Sequence, residues 1–413
     1  MKIAYFLARF PKLTETFILR EMIALRDLGA EVYIFSLQPP HAEPVHAQVQ
    51  EMMPYVRYSP LFLSWKLWGA QAYFLFRSPL KYFRALFKVL WQTWREPGVL
   101  LAVLSLFPKS VYFACQMQEL GIDHIHAHFL WINGIAAQVV SDLIGVTFTV
   151  HPHAFGLFMR NQADVRAQLE LVNGIVTIAE YHRQYILNLC PRLTAEDVAV
   201  VHDGLDPAQF TPAPIPSADG AMRITSVGSL MEKKGHTYLI AACAGLVERG
   251  VPFRCVIAGE GPLHASLQAQ IERENLQDCV LLLGAKTQAE VYDLYRHSDI
   301  FVLPCVVAKG GDRDGMPNVL LEAMCMEIPV VSTPVTGTPE LVHDGENGIL
   351  VPERDVEALA EAITRLMEDE TLRLEFGKKG RETVLSGFDI HQSAEKLAAI
   401  FQRFCVQNGR RLQ

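Results

Sequence analysis

Paired cysteines are missing from this chain. Its eight cysteines, at positions 115, 190, 243, 255, 279, 305, 325 and 405 of 413 residues, show no CxxC spacing. That excludes a disulfide framework and a zinc ribbon, and fits reduced thiols in a cytoplasmic protein. No G-x-G-x-x-G follows the first strand-like segment, so a dinucleotide cofactor is disfavoured. The opening Met1-Lys2-Ile3-Ala4-Tyr5-Phe6-Leu7-Ala8 turns polar too soon for a signal peptide and reads as a first strand. The apolar run from Val99 to Phe107 falls short of the ~20 residues that a membrane-spanning helix needs. A net charge of -8 argues against a general nucleic-acid binder. What is present is a half-hydrophobic composition on a length that allows two or three domains with ample core.

Acidic residues are also missing from one long stretch. Residues 61–95 hold four of the five tryptophans (Trp65, Trp68, Trp91, Trp94) and six cations (Lys66, Arg77, Lys81, Arg84, Lys88, Arg95). On one helical wheel, Arg77, Lys81, Arg84, Lys88 and Arg95 share a face opposite Phe83, Leu86, Phe87, Leu90 and Trp94. A basic stripe opposite an aromatic face predicts a helix lying in a membrane interface, against the alternative of a helical pair packed on its own domain.

Elsewhere strands and helices alternate. The first half runs from a strand at residues 2–8 through a helix ending near Leu28, a strand at Glu31 to Leu37 and a helix from Lys109 to Leu120. A strand then leads into His126-Ala127-His128-Phe129, and another, Val146 to Val150, ends in His151-Pro152-His153. His124, His126 and His128 fall on one side of a strand, a pattern that could ligate a metal. No carboxylate or cysteine accompanies them at typical spacing, so no metal is expected. Hydrogen bonding at the strand C-terminal ends, where open α/β sheets hold ligands, is the preferred reading. In the loop before the first helix, Thr14 or Thr16 could cap it.

The proline-rich Thr211 to Gly220 reads as a linker, after which the alternation restarts at Met222. The second half is organised around an apolar strand, Asp299 to Leu303, a loop rich in Gly and Asp, and a helix that starts near Asn318. This order aims backbone N–H groups and a positive dipole end at an anion, so a phosphorylated ligand is expected. Asp314 sits in the loop and Glu322 about one turn into the helix. Glu322 interrupts the apolar face and suits a sugar diol, or else caps or pairs with a lysine. Lys234, beside Gly235, either approaches phosphate oxygens or is a surface lysine, with Lys233 as its surface counterpart.

These pieces together resemble a known family. Val227-Gly228-Ser229-Leu230 with Lys234-Gly235, Gly259-Glu260-Gly261-Pro262, Gly284, Phe301-Val302-Leu303-Pro304, Asp314-Gly315-Met316-Pro317 with Glu322-Ala323-Met324, and Glu340-Leu341-Val342 resemble the retaining family 4 glycosyltransferases of GT-B fold. The first half, through residues 10–17 and 126–129, resembles the bacterial exopolysaccharide and colanic-acid-type members. The resemblance implies an α/β protein of two Rossmann-like, doubly wound parallel-sheet domains facing across a cleft. Its parts would be an acceptor-side domain (1–205), a linker (206–220), a nucleotide-sugar domain (221–387) and a C-terminal helix (388–413) returning to the first domain.

It also implies a metal-independent hexosyl transfer, without cofactor, from a UDP- or GDP-sugar to a lipid-linked saccharide at the inner face of the cytoplasmic membrane. The catalytic groups would be Lys234, Asp314, Glu322 and His128. Ser229, Gly259, Gly261, Gly284, Gly315, Met316 and Asn318 would hold the donor with Glu322. Thr14, Glu15, Thr16, His126, His151 and His153 would lie on the acceptor side. The chain departs from the family pattern at Asp314 (commonly Glu), Ser229 (commonly Arg) and Ala154 (commonly Asp). A degenerate scaffold that binds without turnover and a sugar-nucleotide epimerase are the alternative readings.

Overall fold

The computed structural model describes residues 1–12, 15–40, 48–94, 97–215, 220–250 and 252–411. Thr14, Arg95 and linker residues 216–219 lie outside them. The chain forms two compact units: Met1–Ile178 with Arg183–Val201 and Ile390–Gln413, and Ala179–His182 with His202–Asp389.

The sheet of the first unit holds seven parallel strands: β1 (Lys2–Arg9), β2 (Glu31–Gln38), β3 (Val56–Tyr58), β4 (His124–His128), β5 (Thr147–His151), β6 (Gly174–Thr177) and β7 (Val198–Val200), in the order β3-β2-β1-β4-β5-β6-β7. The central strands are buried along their length, as expected of a parallel sheet covered on both faces. On one face, Phe6, Phe35 and Ile125 pack against Phe113, Val139 and Val140. On the other, Ile3, Tyr5 and Ile34 pack against Ile18 and Met22 of helix Thr16–Asp27 and Leu397 and Phe401 of helix Ile390–Arg411.

The sheet of the second unit holds six parallel strands: β8 (Met222–Val227), β9 (Phe253–Ala258), β10 (Val280–Leu282), β11 (Ile300–Leu303), β12 (Val330–Ser332) and β13 (Ile349–Leu350), in the order β10-β9-β8-β11-β12-β13. In both sheets the order reverses beside the first strand, at β1/β4 and at β8/β11. Such reversal points are where open α/β sheets bind ligands, beyond the strands' carboxyl ends.

Three expectations change. A helix runs from Pro97 to Leu120 with Pro108 inside it, rather than starting at Lys109. The polar Pro108-Lys109-Ser110 breaks the apolar run in sequence without ending the helix. Its Leu100–Leu120 portion is long and apolar enough to cross a membrane, yet half of the apolar window is buried inside the protein, as in a core helix. The single wheel over residues 77–95 is in fact two helices, Trp65–Arg77 and Pro79–Thr93, because the residue before a proline leaves helical geometry; Ser78 has φ -147 and ψ 59. The second helix buries Ala85, Val89 and Thr93 while Phe83, Phe87 and Trp94 are exposed, and Lys88 bonds Asp142. Finally, the N-cap of the first helix is Glu15, without a side-chain cap bond, in place of a threonine; Glu15 instead pairs with Lys12 at 2.7 Å.

Candidate functional site

In the second unit, the loops leaving β8 and β11 meet because these strands are neighbours. After β8 a short 3-10 turn, Glu232–Lys234, ends at Gly235 with φ 72, and helix His236–Glu248 follows. A Cβ at Gly235 would lie 1.8 Å from the Pro304 carbonyl oxygen, so only glycine lets the turn press against the end of β11. This approach brings Lys234 Nζ to 2.5 Å from Asp314 Oδ2. Lys233 is not a surface lysine: its Nζ lies 3.3 Å from Asp312 and 3.5 Å from Asp314, with its side chain 19% exposed. The charged and polar residues on either side, Glu232 and His236 among them, gave no sign that both lysines fold inward.

Burial alone would raise the Asp314 carboxyl, but Lys234 and then Lys233 outweigh it and hold it below its ordinary value. Burial likewise works against the Lys234 ammonium, and Asp314 outweighs it in the other direction. Both groups therefore stay charged at neutral pH, each compensating a desolvation that would be costly for either alone. Cys305, at the end of β11, lies 3.7 Å from Asp314 Oδ2, and burial followed by that carboxylate push its thiol up, so it remains a protonated S–H donor. Its place beside the carboxylate had no sequence signature.

The glycine turns gather around the same strand ends. Gly259 has φ 154, and a Cβ there would fall 1.9 Å from the Gly228 carbonyl oxygen. Its N–H donates to Gly284 at 2.9 Å, and Leu230 joins the Gly259–Pro262 turn through bonds to Glu260 and from Leu263. Ser229, Gly259, Gly261 and Gly284 thus surround one carboxyl edge of the sheet, with the Ser229 side chain exposed.

Past Asp314, the Gly315 carbonyl accepts from Gly337 N–H at 2.9 Å and from the Thr336 hydroxyl at 2.5 Å. Met316 is buried at 5% exposure. Helix Asn318–Cys325 then starts after Pro317 without a side-chain cap. Its first-turn amides and positive dipole end lie beside the Lys–Asp cluster in sequence and loop. Glu322 follows one turn on, and the Tyr295 hydroxyl donates to its Oε2 at 3.0 Å. Tyr295 sits on helix Gln288–Arg296, a contact that no motif marked. Glu340 accepts the amide protons of Glu180 and Tyr181, both at 2.9 Å, fixing the start of helix Glu180–Leu189.

In the first unit, the candidate histidines converge. His126 and His128 are two residues apart on β4, and His128 is in register with His151 on β5, so all three rings share one sheet face. No carboxylate accompanies them at typical spacing in the sequence, but the fold supplies one from elsewhere in the chain. Glu21, on helix Thr16–Asp27, reaches over that face: its Oε1 lies 3.0 Å from His128 Nε2 and 3.8 Å from His126 Nε2, and its Oε2 lies 4.0 Å from His151 Nδ1. Glu21 precedes His126 by more than a hundred residues, a distance that no spacing rule spans. The Tyr5 hydroxyl donates to Glu21 Oε1 at 2.5 Å, and His128 Nδ1 meets His153 Nε2 at 3.1 Å. Exposure of His126, His128 and His151 is 0–1% and of His153 9%, with the rings of Tyr5, Phe17, Phe129 and Phe401 packed mostly edge-on or tilted against them. Thr16 begins the helix that carries Glu21, next to Glu15.

Comparison with known proteins identifies the family and the fold. The family described as "Glycosyl transferases group 1" matches residues 209–383. The chain is 30% identical to a protein named as the colanic acid biosynthesis glycosyltransferase WcaL of Escherichia coli (strain K12), over 97% of this chain and 100% of that protein. It is also 30% identical to the amylovoran biosynthesis glycosyltransferase AmsK of Erwinia amylovora, over 98% of this chain and 100% of AmsK. Among solved structures, Anabaena Alr3699/HepE in complex with UDP-glucose superposes with a TM-score of 0.70 at 17% identity, covering 98% of this chain and 100% of that one. Its two doubly wound sheets have the GT-B fold, and the chain belongs to the group 1 glycosyltransferases.

Proposed function

We propose that this chain is a retaining hexosyltransferase that moves a sugar from a UDP- or GDP-linked donor to a lipid-linked saccharide in exopolysaccharide synthesis. The observation that carries the reading is the buried Lys234–Asp314 pair next to the start of helix Asn318–Cys325. The acceptor hydroxyl attacks the anomeric carbon, the bond from that carbon to the β-phosphate oxygen breaks, and its electron pair leaves with the nucleoside diphosphate. The acceptor proton passes to the departing oxygen on the same face, so no protein base is needed. Lys234 and the helix amides neutralise the charge developing on the diphosphate, which gives the transfer step no need of a cation there. Asp314 positions Lys234 and, with the Gly315 and Met316 amides, holds the donor sugar. Glu322, oriented by Tyr295, takes the ribose diol. The first unit takes the acceptor.

Exposed aromatics support the lipid-linked acceptor and a peripheral position on the inner membrane face. Trp65 (79% exposed), Phe76 (85%), Leu80 (86%), Phe87 (65%) and Trp91 (79%) project from helices Trp65–Arg77 and Pro79–Thr93 among Lys66, Arg77, Lys81 and Arg84. Their apolar area belongs in an interface and the cations with anionic headgroups. A groove of about 1040 Å³, lined by Phe87, Leu90, Trp91, Trp94 and Leu171, opens beside them.

A thermal-shift panel of UDP, GDP, ADP and their sugar conjugates, with and without magnesium, tests the donor. A rise in melting temperature with one base, unchanged by magnesium, is the expected result. NMR of the product's anomeric proton reads the stereochemistry, and an inverted product overturns the retaining assignment. Flotation on vesicles containing anionic lipid tests the membrane, with Phe87→Glu/Trp91→Glu expected to remain in the soluble fraction.

A further inference from the structure

We propose that Glu21, His126, His128 and His151 form a binding site for one divalent first-row transition ion, zinc being the best match. The four donor atoms lie within 4.8 Å of one another and belong to buried residues. Ligands of a tetrahedral zinc with bonds of about 2.0–2.1 Å stand about 3.4 Å apart, so modest ring and carboxylate rotation closes the set. Three imidazoles and one carboxylate suit zinc and its neighbours, whereas magnesium and calcium take oxygen shells.

The hydrogen bonds around the cluster leave a donor atom for the ion. His126 is fully buried, and its Nε2, turned toward the other three groups, makes no hydrogen bond. Its Nδ1 lies 2.8 Å from the Thr149 hydroxyl, which lies 2.9 Å from His124 Nε2, while His124 Nδ1 is 2.9 Å from Thr147. A hydroxyl has one proton, so the chain of bonds runs in one of two directions. If His126 Nδ1–H donates to Thr149, Thr149 donates to His124, and His124 donates to Thr147, then His126 Nε2 carries a lone pair aimed into the cluster. In the opposite direction Nε2 is a buried N–H that makes no hydrogen bond, its Glu21 Oε1 neighbour standing 3.8 Å away, a less favourable state.

The outer partners are of the kind that hold metal ligands in place: Tyr5 O–H on Glu21, and His153 on the far nitrogen of His128. With all four positions filled by protein, the ion is structural, pinning helix Thr16–Asp27 to β4 and β5, and takes no part in sugar transfer.

Titration of untagged, chelator-stripped protein with cobalt(II) and zinc(II) tests this. The expected result is one equivalent of cobalt with a visible ligand-field band, displaced by zinc, and a higher melting temperature for the loaded form. His126→Gln should abolish stoichiometric uptake, and Tyr5→Phe should weaken it about 10- to 100-fold. Circular dichroism reports whether each variant folds; where His126→Gln does not, Tyr5→Phe alone decides. Failure to take up one equivalent, or uptake unchanged in the folded variants, overturns the site.

Discussion

At the β8/β11 reversal the buried polar groups are charged: two lysines share Asp314. At the β1/β4 reversal they are imidazoles gathered around one carboxylate, Glu21. Both clusters occupy the same topological position in their sheets, yet they suit different guests. Under the proposed function the first is a cation held by an anion and offered to a diphosphate, a ligand that comes and goes. The second is lined by buried imidazole nitrogens and enclosed by aromatic rings, so it is fitted to something that stays. The difference shows that the sheet supplies the place and the side chains supply the chemistry.

The largest test of this contrast is Lys234→Ala. Loss of a preorganised charge at the leaving group should lower kcat about 10²- to 10³-fold, with the surface variant Lys378→Ala as control. Initial-rate transfer assays check it, and near-normal kcat would remove Lys234 from the leaving-group role. Lys233→Ala is no control, because it also removes a partner of Asp314; an intermediate loss is expected.

A second test uses pH. His236, the first residue of the helix after Gly235, is pushed down to about 4 by burial and then by Lys234. Below its unfolded value of about 6.5 the unfolded chain binds the proton that the folded chain refuses. Stability is therefore full above that value and falls as pH drops toward 4, by up to about 1.4 kcal/mol per pH unit for this one group. Denaturant melts from pH 7 to pH 4.5 should fall at least that steeply, because His124 and His182 are pushed down by burial too, and His236→Asn should make the fall shallower. An unchanged slope in the variant would assign the acid loss elsewhere, His182 being the next buried histidine at about 4.

The smallest effect is expected from Tyr295→Phe. It removes one hydroxyl from Glu322 and should raise the donor KM by roughly 2- to 12-fold, equivalent to about 0.5–1.5 kcal/mol, with kcat held. A fall in kcat with unchanged KM would move Glu322 from binding to the reacting centre.

Much of the site in the second unit was legible in the sequence because each part is local. An apolar run ending at Pro304, a loop of glycines and aspartates and a helix starting at Asn318 name their own conformations. The strict alternation likewise predicted two parallel sheets. Sequence reading failed where contacts depended on packing across the chain. The inward turn of Lys233 depends on how close Gly235 comes to Pro304. The break at Ser78 separates Arg77 from the helix that carries Lys81, Arg84 and Lys88, since a helical wheel assumes one continuous axis, and only packing shows that Ala85, Val89 and Thr93 form the buried face.

The sequence alone determined the order of strands and helices, the glycine turns at Gly235 and Gly259, and the presence of Asp314 and Glu322 at fixed spacing on one loop and helix. Period, turn chemistry and capping act over a few residues, which is the range that a sequence exposes. Only the tertiary structure decided that Glu21 meets His126, His128 and His151, that Tyr295 holds Glu322, and that two lysines share one aspartate. Those meetings follow from strand order and from helices crossing sheet faces, where residues far apart in the chain are brought within hydrogen-bond reach by burial of the apolar surface around them.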